Sequence, residues 1–243
     1  MSQDKKLDPI SATSREDLLV ALRSIDISVP PLGIKGRQKW HCERSLVCRW
    51  LSTYSESWHC AYPLMVTHRD KPDFSIKVSD KTIGVECTEA VTQDYAHVSA
   101  IIEGQDIDNV IDISLFKWDQ TKSDDEKYEI ATQINFSGRP WDGDSVEKEW
   151  AQAMMDVVEK KTGDLRANEF EKYRENILLI YDNFPLPKMN KELASDYFNS
   201  KLKEYWRSGL IYDYIFVESG NVILEFNSSG FKKNHLNDLW SST

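Results

Sequence analysis

KPDFSIKVSDKTIGVECTEA, residues 71–90, reads as two short strands joined by a tight turn. Phe74, Ile76 and Val78 alternate with polar neighbours, Ser79-Asp80-Lys81 supplies the turn, and Ile83–Cys87 follows as a strand of buried-type residues. The same stretch holds two carboxylates, Asp73 at the entrance of the first strand and Glu86 inside the second. Strand side chains alternate between faces, so Glu86 and Thr88 share one face while Val85 and Cys87 share the other. An acid inside a core strand is costly unless it is paired, hydrogen-bonded or bound to a metal. Two of them across so short a connection can converge on one cation. Mg²⁺ and Mn²⁺ suit such a pair, since they take one or two carboxylates plus waters and phosphate oxygens.

Upstream, Trp40, Val47, Trp50, Leu51 and Tyr54 recur at helical spacing, and Glu43 falls on their stripe. Either Glu43 meets a neighbouring arginine, or it reaches the Asp73/Glu86 pair directly or through water. The segment from Lys35 to Arg49 sets five cations, Lys35, Arg37, Lys39, Arg44 and Arg49, against Glu43 alone. This local basic patch is either a solvated helix face or a phosphate-binding surface formed by Lys35, Arg37, Lys39 and Arg44. Downstream, a helix is expected over about 146–165, with Trp150, Met154, Val157, Val158 and Leu165 as its apolar stripe. Lys161 lies on that stripe, and Lys160 lies about 100° round the helix. Lys161 either snorkels at the helix end or extends toward a site above the sheet. The apolar run Ile177–Tyr181 then reads as a central strand buried on both faces.

These features together resemble the PD-(D/E)XK nuclease superfamily, the restriction-endonuclease-like fold. Pro72-Asp73 stands where that family has its PD, and Glu86-Cys87-Thr88 stands where it has (D/E)-x-K. Thr88 departs from the pattern, because threonine cannot supply a cation. Some branches take the lysine from the following helix, and the resemblance places Lys161, with Lys160 beside it, in that role. It implies a metal-dependent nuclease hydrolysing phosphodiester bonds in DNA. Asp73 and Glu86 would hold Mg²⁺ or Mn²⁺ with the Cys87 carbonyl as a further oxygen ligand, Glu43 would support the shell, and Lys161 would assist the attacking water. The alternative is a catalytically silent relative that binds nucleic acid or another protein. A homodimer stays open, and a small-molecule enzyme on an unrelated α/β fold has no positive motif behind it.

The expected architecture is α/β, a mixed central β-sheet flanked by helices. Residues 1–34 are read as a disordered lead to about 14 and a short helix capped near Ser14, 35–226 as one domain with an acidic insertion over about 104–147, and 227–243 as a polar tail. Within the insertion, Tyr128, Ile130, Thr132, Ile134 and Phe136 alternate as in a strand. Asp94 and His97 read as surface residues, and Ile211–Glu218 with Val222–Phe226 reads as a hairpin. The 243 residues are 40% hydrophobic and 29% charged, an ordinary globular balance. No apolar run is long enough to span a membrane, and the first residues lack a signal-peptide core. Cys42, Cys48, Cys60 and Cys87 are irregularly spaced, which suits a reducing cytoplasm better than a disulfide framework. With His41 and His59 they make no zinc pattern. The net charge of −10 opposes broad nonspecific nucleic-acid binding. No glycine-rich phosphate loop, nucleophile elbow or internal repeat is present.

Overall fold

The computed structural model describes residues 6–57, 60–105, 107, 110–133, 137–166, 171–209 and 212–240. Among the described residues, eight strands form one mixed sheet: β1 Ile10–Ala12, β2 Leu64–His68, β3 Phe74–Val78, β4 Lys81–Ala90, β5 Glu175–Asp182, β6 Tyr214–Ser219, β7 Val222–Asn227 and β8 Gly230–His235. Their order across the sheet is their order in the chain. β4, β5 and β6 run parallel, and every other neighbouring pair is antiparallel. Parallel neighbours need long crossovers. The first crossover holds helices α3 Gln93–Gln105, α4 Asp124–Thr132 and α5 Ser145–Arg166, and the second holds α6 Lys191–Arg207.

Two apolar layers explain the pattern of β5. Ile177 and Leu179 join the core under α1 (Arg15–Arg23) and α2 (Lys39–Thr53), while Leu178 and Ile180 join Trp150, Met154 and Phe198 from α5 and α6. A strand covered on both faces has no polar alternation to show. Ser14 caps α1 by accepting the Asp17 N–H, as its sequence suggests. The expected hairpin lies at β6–β7, with residue 211 outside the described residues.

Four expectations change. The alternating stretch from Tyr128 is helical through Thr132, and 134–136 lie outside the described residues. Ser123 and Glu126 form a reciprocal capping box with three acids in the first turn, and this local chemistry outweighs the two-residue period. Ile130 and Ala131 then pack on Val98 and Phe116 in a satellite core. Asp94 is buried rather than superficial, accepting the Lys122 N–H at 2.7 Å and facing Lys127 at 3.3 Å. The stretch read as a disordered lead contributes β1, while residues 1–5 lie outside the described residues. The stretch read as a tail contributes β8, whose Lys232 and Lys233 suit an edge strand.

Beyond β8 the chain returns to α2. Ser52 Oγ donates to the Asn237 carbonyl at 2.7 Å, Asn237 Nδ2 donates to the Ser52 carbonyl at 3.1 Å, and the Asn237 N–H reaches Thr53 Oγ1 at 3.1 Å. Trp240 Nε1 donates to the Ile25 carbonyl at 3.0 Å. Leu236, Leu239 and Trp240 pack against the core under α1 and α2.

Candidate functional site

β4 is twice the length of β3, and their pairing ends at Phe74 opposite Val85. From there β4 continues beside β5 alone, so its other edge needs partners. Asp73, the residue just before β3, provides one: its Oδ2 accepts the Cys87 N–H at 2.8 Å. A strand residue presents its N–H and C=O to the same edge, which puts the Cys87 carbonyl on the edge β3 has left. Gly84 leaves room below, since a Cβ there would lie 2.7 Å from Tyr173 Cδ2 and 3.2 Å from Pro72 Cγ.

Glu86 faces α5, opposite in sense to Val85 and Cys87, which join the α2-side core. Lys161 Nζ sits 2.7 Å from Glu86 Oε1, while Lys160 is exposed and has no such partner among the described residues. Glu86 Oε2 is buried without a hydrogen-bond partner. The helix stripe therefore delivers Lys161, not Lys160, to Glu86.

On the α2 side, Lys39 Nζ lies 2.6 Å from Glu43 Oε1 and 2.8 Å from Asp73 Oδ1. Glu43 Oε2 accepts from His68 Nε2 at 3.1 Å, and His68 Nδ1 accepts the Leu7 N–H at 2.9 Å. With Nδ1 used as an acceptor, the ring proton belongs on Nε2, so His68 acts as a neutral donor to Glu43. The imidazole also stacks on Phe74 at 4.4 Å. Burial would raise the Glu43 carboxyl, but hydrogen bonds from His68 and Lys39 overcome it and hold the group below its ordinary range. Asp73, only 2% exposed, is pushed up to about 7 by burial and then by the charges of Glu86 and Glu43, against the pull of Lys39. Glu43 and Glu86 thus both act on Asp73.

The donor set fits a hard divalent cation. Among the six oxygens of Glu43, Asp73 and Glu86, five have a partner and Glu86 Oε2 has none. An orphaned buried carboxylate oxygen is expensive, and a cation would satisfy it. Asp73, Glu86 and the Cys87 carbonyl would hold such an ion, an all-oxygen set of the kind Mg²⁺ and Mn²⁺ accept. Among the described residues no group of three or more His, Cys, Asp or Glu side chains forms a metal cage. A cleft of about 460 Å³ opens at the C-terminal end of β4, lined by Thr88, Asp94, Trp118, Asp156, Lys160 and Lys161. Crevices at this end of parallel strands are the usual ligand sites of α/β sheets.

The basic patch is arranged differently from its sequence reading. Arg37 binds both oxygens of Glu89 at 2.6 and 2.7 Å, Lys39 is held by Glu43 and Asp73, and Arg44 faces Asp26 at 3.8 Å while lying over the Trp40 ring. Lys35 alone of the four is exposed with no ion-pair partner among the described residues. His68 was not identifiable from sequence; its only signal is that it precedes the Arg69–Pro72 turn. Cys42, Cys48, Cys60 and Cys87 are buried free thiols, and His59 lies outside the described residues. Among the described residues, no helix is long and apolar enough to cross a membrane. Comparison with protein families, curated proteins and solved structures finds no match for this chain.

Proposed function

We propose that this chain is a divalent-metal-dependent nuclease of the PD-(D/E)XK kind, hydrolysing phosphodiester bonds in DNA within a reducing cytoplasm. The observation that carries the reading is that a lysine from α5 meets Glu86, whose second oxygen is unsatisfied, while Asp73 binds the next residue of the same strand. A bound Mg²⁺ or Mn²⁺ would polarise a phosphate oxygen and lower the pKa of a coordinated water. Asp73 and Glu86 orient the cation seat, and the Cys87 N–H fixes the rotamer of Asp73. Glu43, steadied by His68, keeps negative charge behind Asp73. Lys161 lines the cleft, so its ammonium is placed to offset charge developing on a scissile phosphate.

The test is cleavage of single- and double-stranded DNA and RNA with Mg²⁺ or Mn²⁺, with Asp73→Ala as the inactive control. Asp73→Ala should also abolish calorimetric Mn²⁺ binding. Absence of both cleavage and Mn²⁺ binding in the wild type would reject the reading. A silent relative that binds another protein is the second reading, and the neutralisation of Arg37, Lys39 and Arg44 by carboxylates favours it. Mn²⁺ binding without DNA binding at low salt would select it.

A further inference from the structure

Lys39 is placed where neither helix electrostatics nor helix pairing favours it. It is the first residue of α2, where the helix dipole disfavours a cation. Its i,i+4 partner Glu43 lies C-terminal to it, the weaker order for such a pair. What holds the ammonium is the two carboxylates, Glu43 and Asp73, whose oxygens both lie within 2.8 Å of one nitrogen. Those carboxylates are 8% and 3% exposed, whereas the Lys39 side chain is 64% exposed. The cation's tether is thus in solvent while its seat is buried.

We infer that Lys39 closes the cation seat by holding Asp73 and Glu43 with its own ammonium, and that a divalent cation enters by displacing it from Asp73. The inference rests on the metal-dependent reading above and adds a built-in competitor to it. Departure of Lys39 alone would leave two buried carboxylates without a counter-ion, an unfavourable state. Its exit is therefore coupled to the arrival of another cation. The charge count favours the exchange: Glu43, Asp73 and Glu86 face two ammonium groups, Lys39 and Lys161. With Asp73 ionised, replacing one of them by a divalent ion brings the three carboxylates to neutrality. Glu86, whose charge acts on Asp73, also keeps a buried oxygen without a hydrogen-bond partner. The Lys39 ammonium leaves with its proton and regains hydration on the surface.

The experiment is calorimetric titration of EDTA-stripped full-length protein with Mn²⁺, comparing wild type with Lys39→Met, Lys39→Gln, Lys39→Arg and Lys35→Met. A seat closed about 90% of the time weakens apparent affinity about tenfold. Lys39→Met and Lys39→Gln should therefore tighten Mn²⁺ binding by about tenfold, and Lys39→Arg should not. Lys35→Met removes a nearby exposed charge without touching the seat and should leave affinity within about twofold. Without metal the two neutral variants should melt below wild type, and saturating Mn²⁺ should reverse that order. Equal or weaker Mn²⁺ binding by both neutral variants, with the wild type binding, would overturn the inference and leave the metal site standing. So would an equal gain from Lys35→Met, which would mean bulk charge alone. If neither wild type nor the variants bind Mn²⁺, the inference and the metal-dependent reading both fall.

Discussion

Replacing Lys161 by methionine tests whether the β4 acid and the α5 lysine are an energetic unit. The side chains of Glu86 and Lys161 are 6% and 15% exposed, and among the described residues their 2.7 Å contact is the only hydrogen bond that either Glu86 oxygen makes. Methionine keeps the length and apolar stem but removes the charge, leaving an uncompensated carboxylate in the core. Breaking a buried pair in this way costs about 3–5 kcal/mol, a large share of the 5–15 kcal/mol typical of a folded domain. Urea denaturation of metal-free protein at pH 8 would report it as a lower midpoint. Lys160→Met removes the same charge one residue earlier from an exposed position, and should stay within about 0.5 kcal/mol of wild type. Adding Glu86→Gln to Lys161→Met should recover most of the loss, because no bare charge remains. A loss below about 1 kcal/mol, matching Lys160→Met, would refute the reasoning and make the pair a surface contact in effect. Any fall in cleavage by Lys161 variants must accordingly be measured per folded molecule.

Two further outcomes follow from burial elsewhere. Glu218 is pushed up from 4.5 to about 7 by burial, against the charge of Arg49. Its folded form keeps a proton that the unfolded chain has lost, so stability should fall as pH rises from 4.5 to 7; thermal melts of Glu218→Gln should show a flatter profile, and parallel profiles would contradict this. At Gly84 an added methyl would press on Tyr173 and Pro72, so Gly84→Ala should cost about 1–3 kcal/mol in denaturation midpoints. Tyr173→Ala in the same chain should return part of that cost, and additive losses would argue against the contact.

Much of this site is legible in the sequence, because an acid beside or inside an apolar strand, and a charged residue on an apolar helix stripe, break local rules that folding enforces. Glu43, Asp73, Glu86 and Lys161 all announced themselves in that way. His68 did not, since its role depends on β2 pairing with β3 so that His68 lies opposite Phe74. The pairing of Lys39 is hidden for a related reason: net charge along a segment cannot say that a cation pairs with an acid 34 residues away. The outer strands were hidden by their shortness, β1 having three residues, and by the lysines that protect β8 as an edge. Around Tyr128 two local signals competed, and the capping box outweighed the alternation.

The return of residues 236–240 to α2 has a consequence for the timing of synthesis. Because the strands lie side by side in chain order, each can add to a neighbour already made as the polypeptide emerges. The helix that carries Lys39 and Glu43 is treated differently: Ser52 must wait for Asn237, 185 residues later. At about 5–20 residues per second that interval is about 10–40 s. During it the sheet grows while the far end of α2 lacks its clasp, and a nascent chain stalled before residue 236 would hold Glu43 on a helix without that clasp.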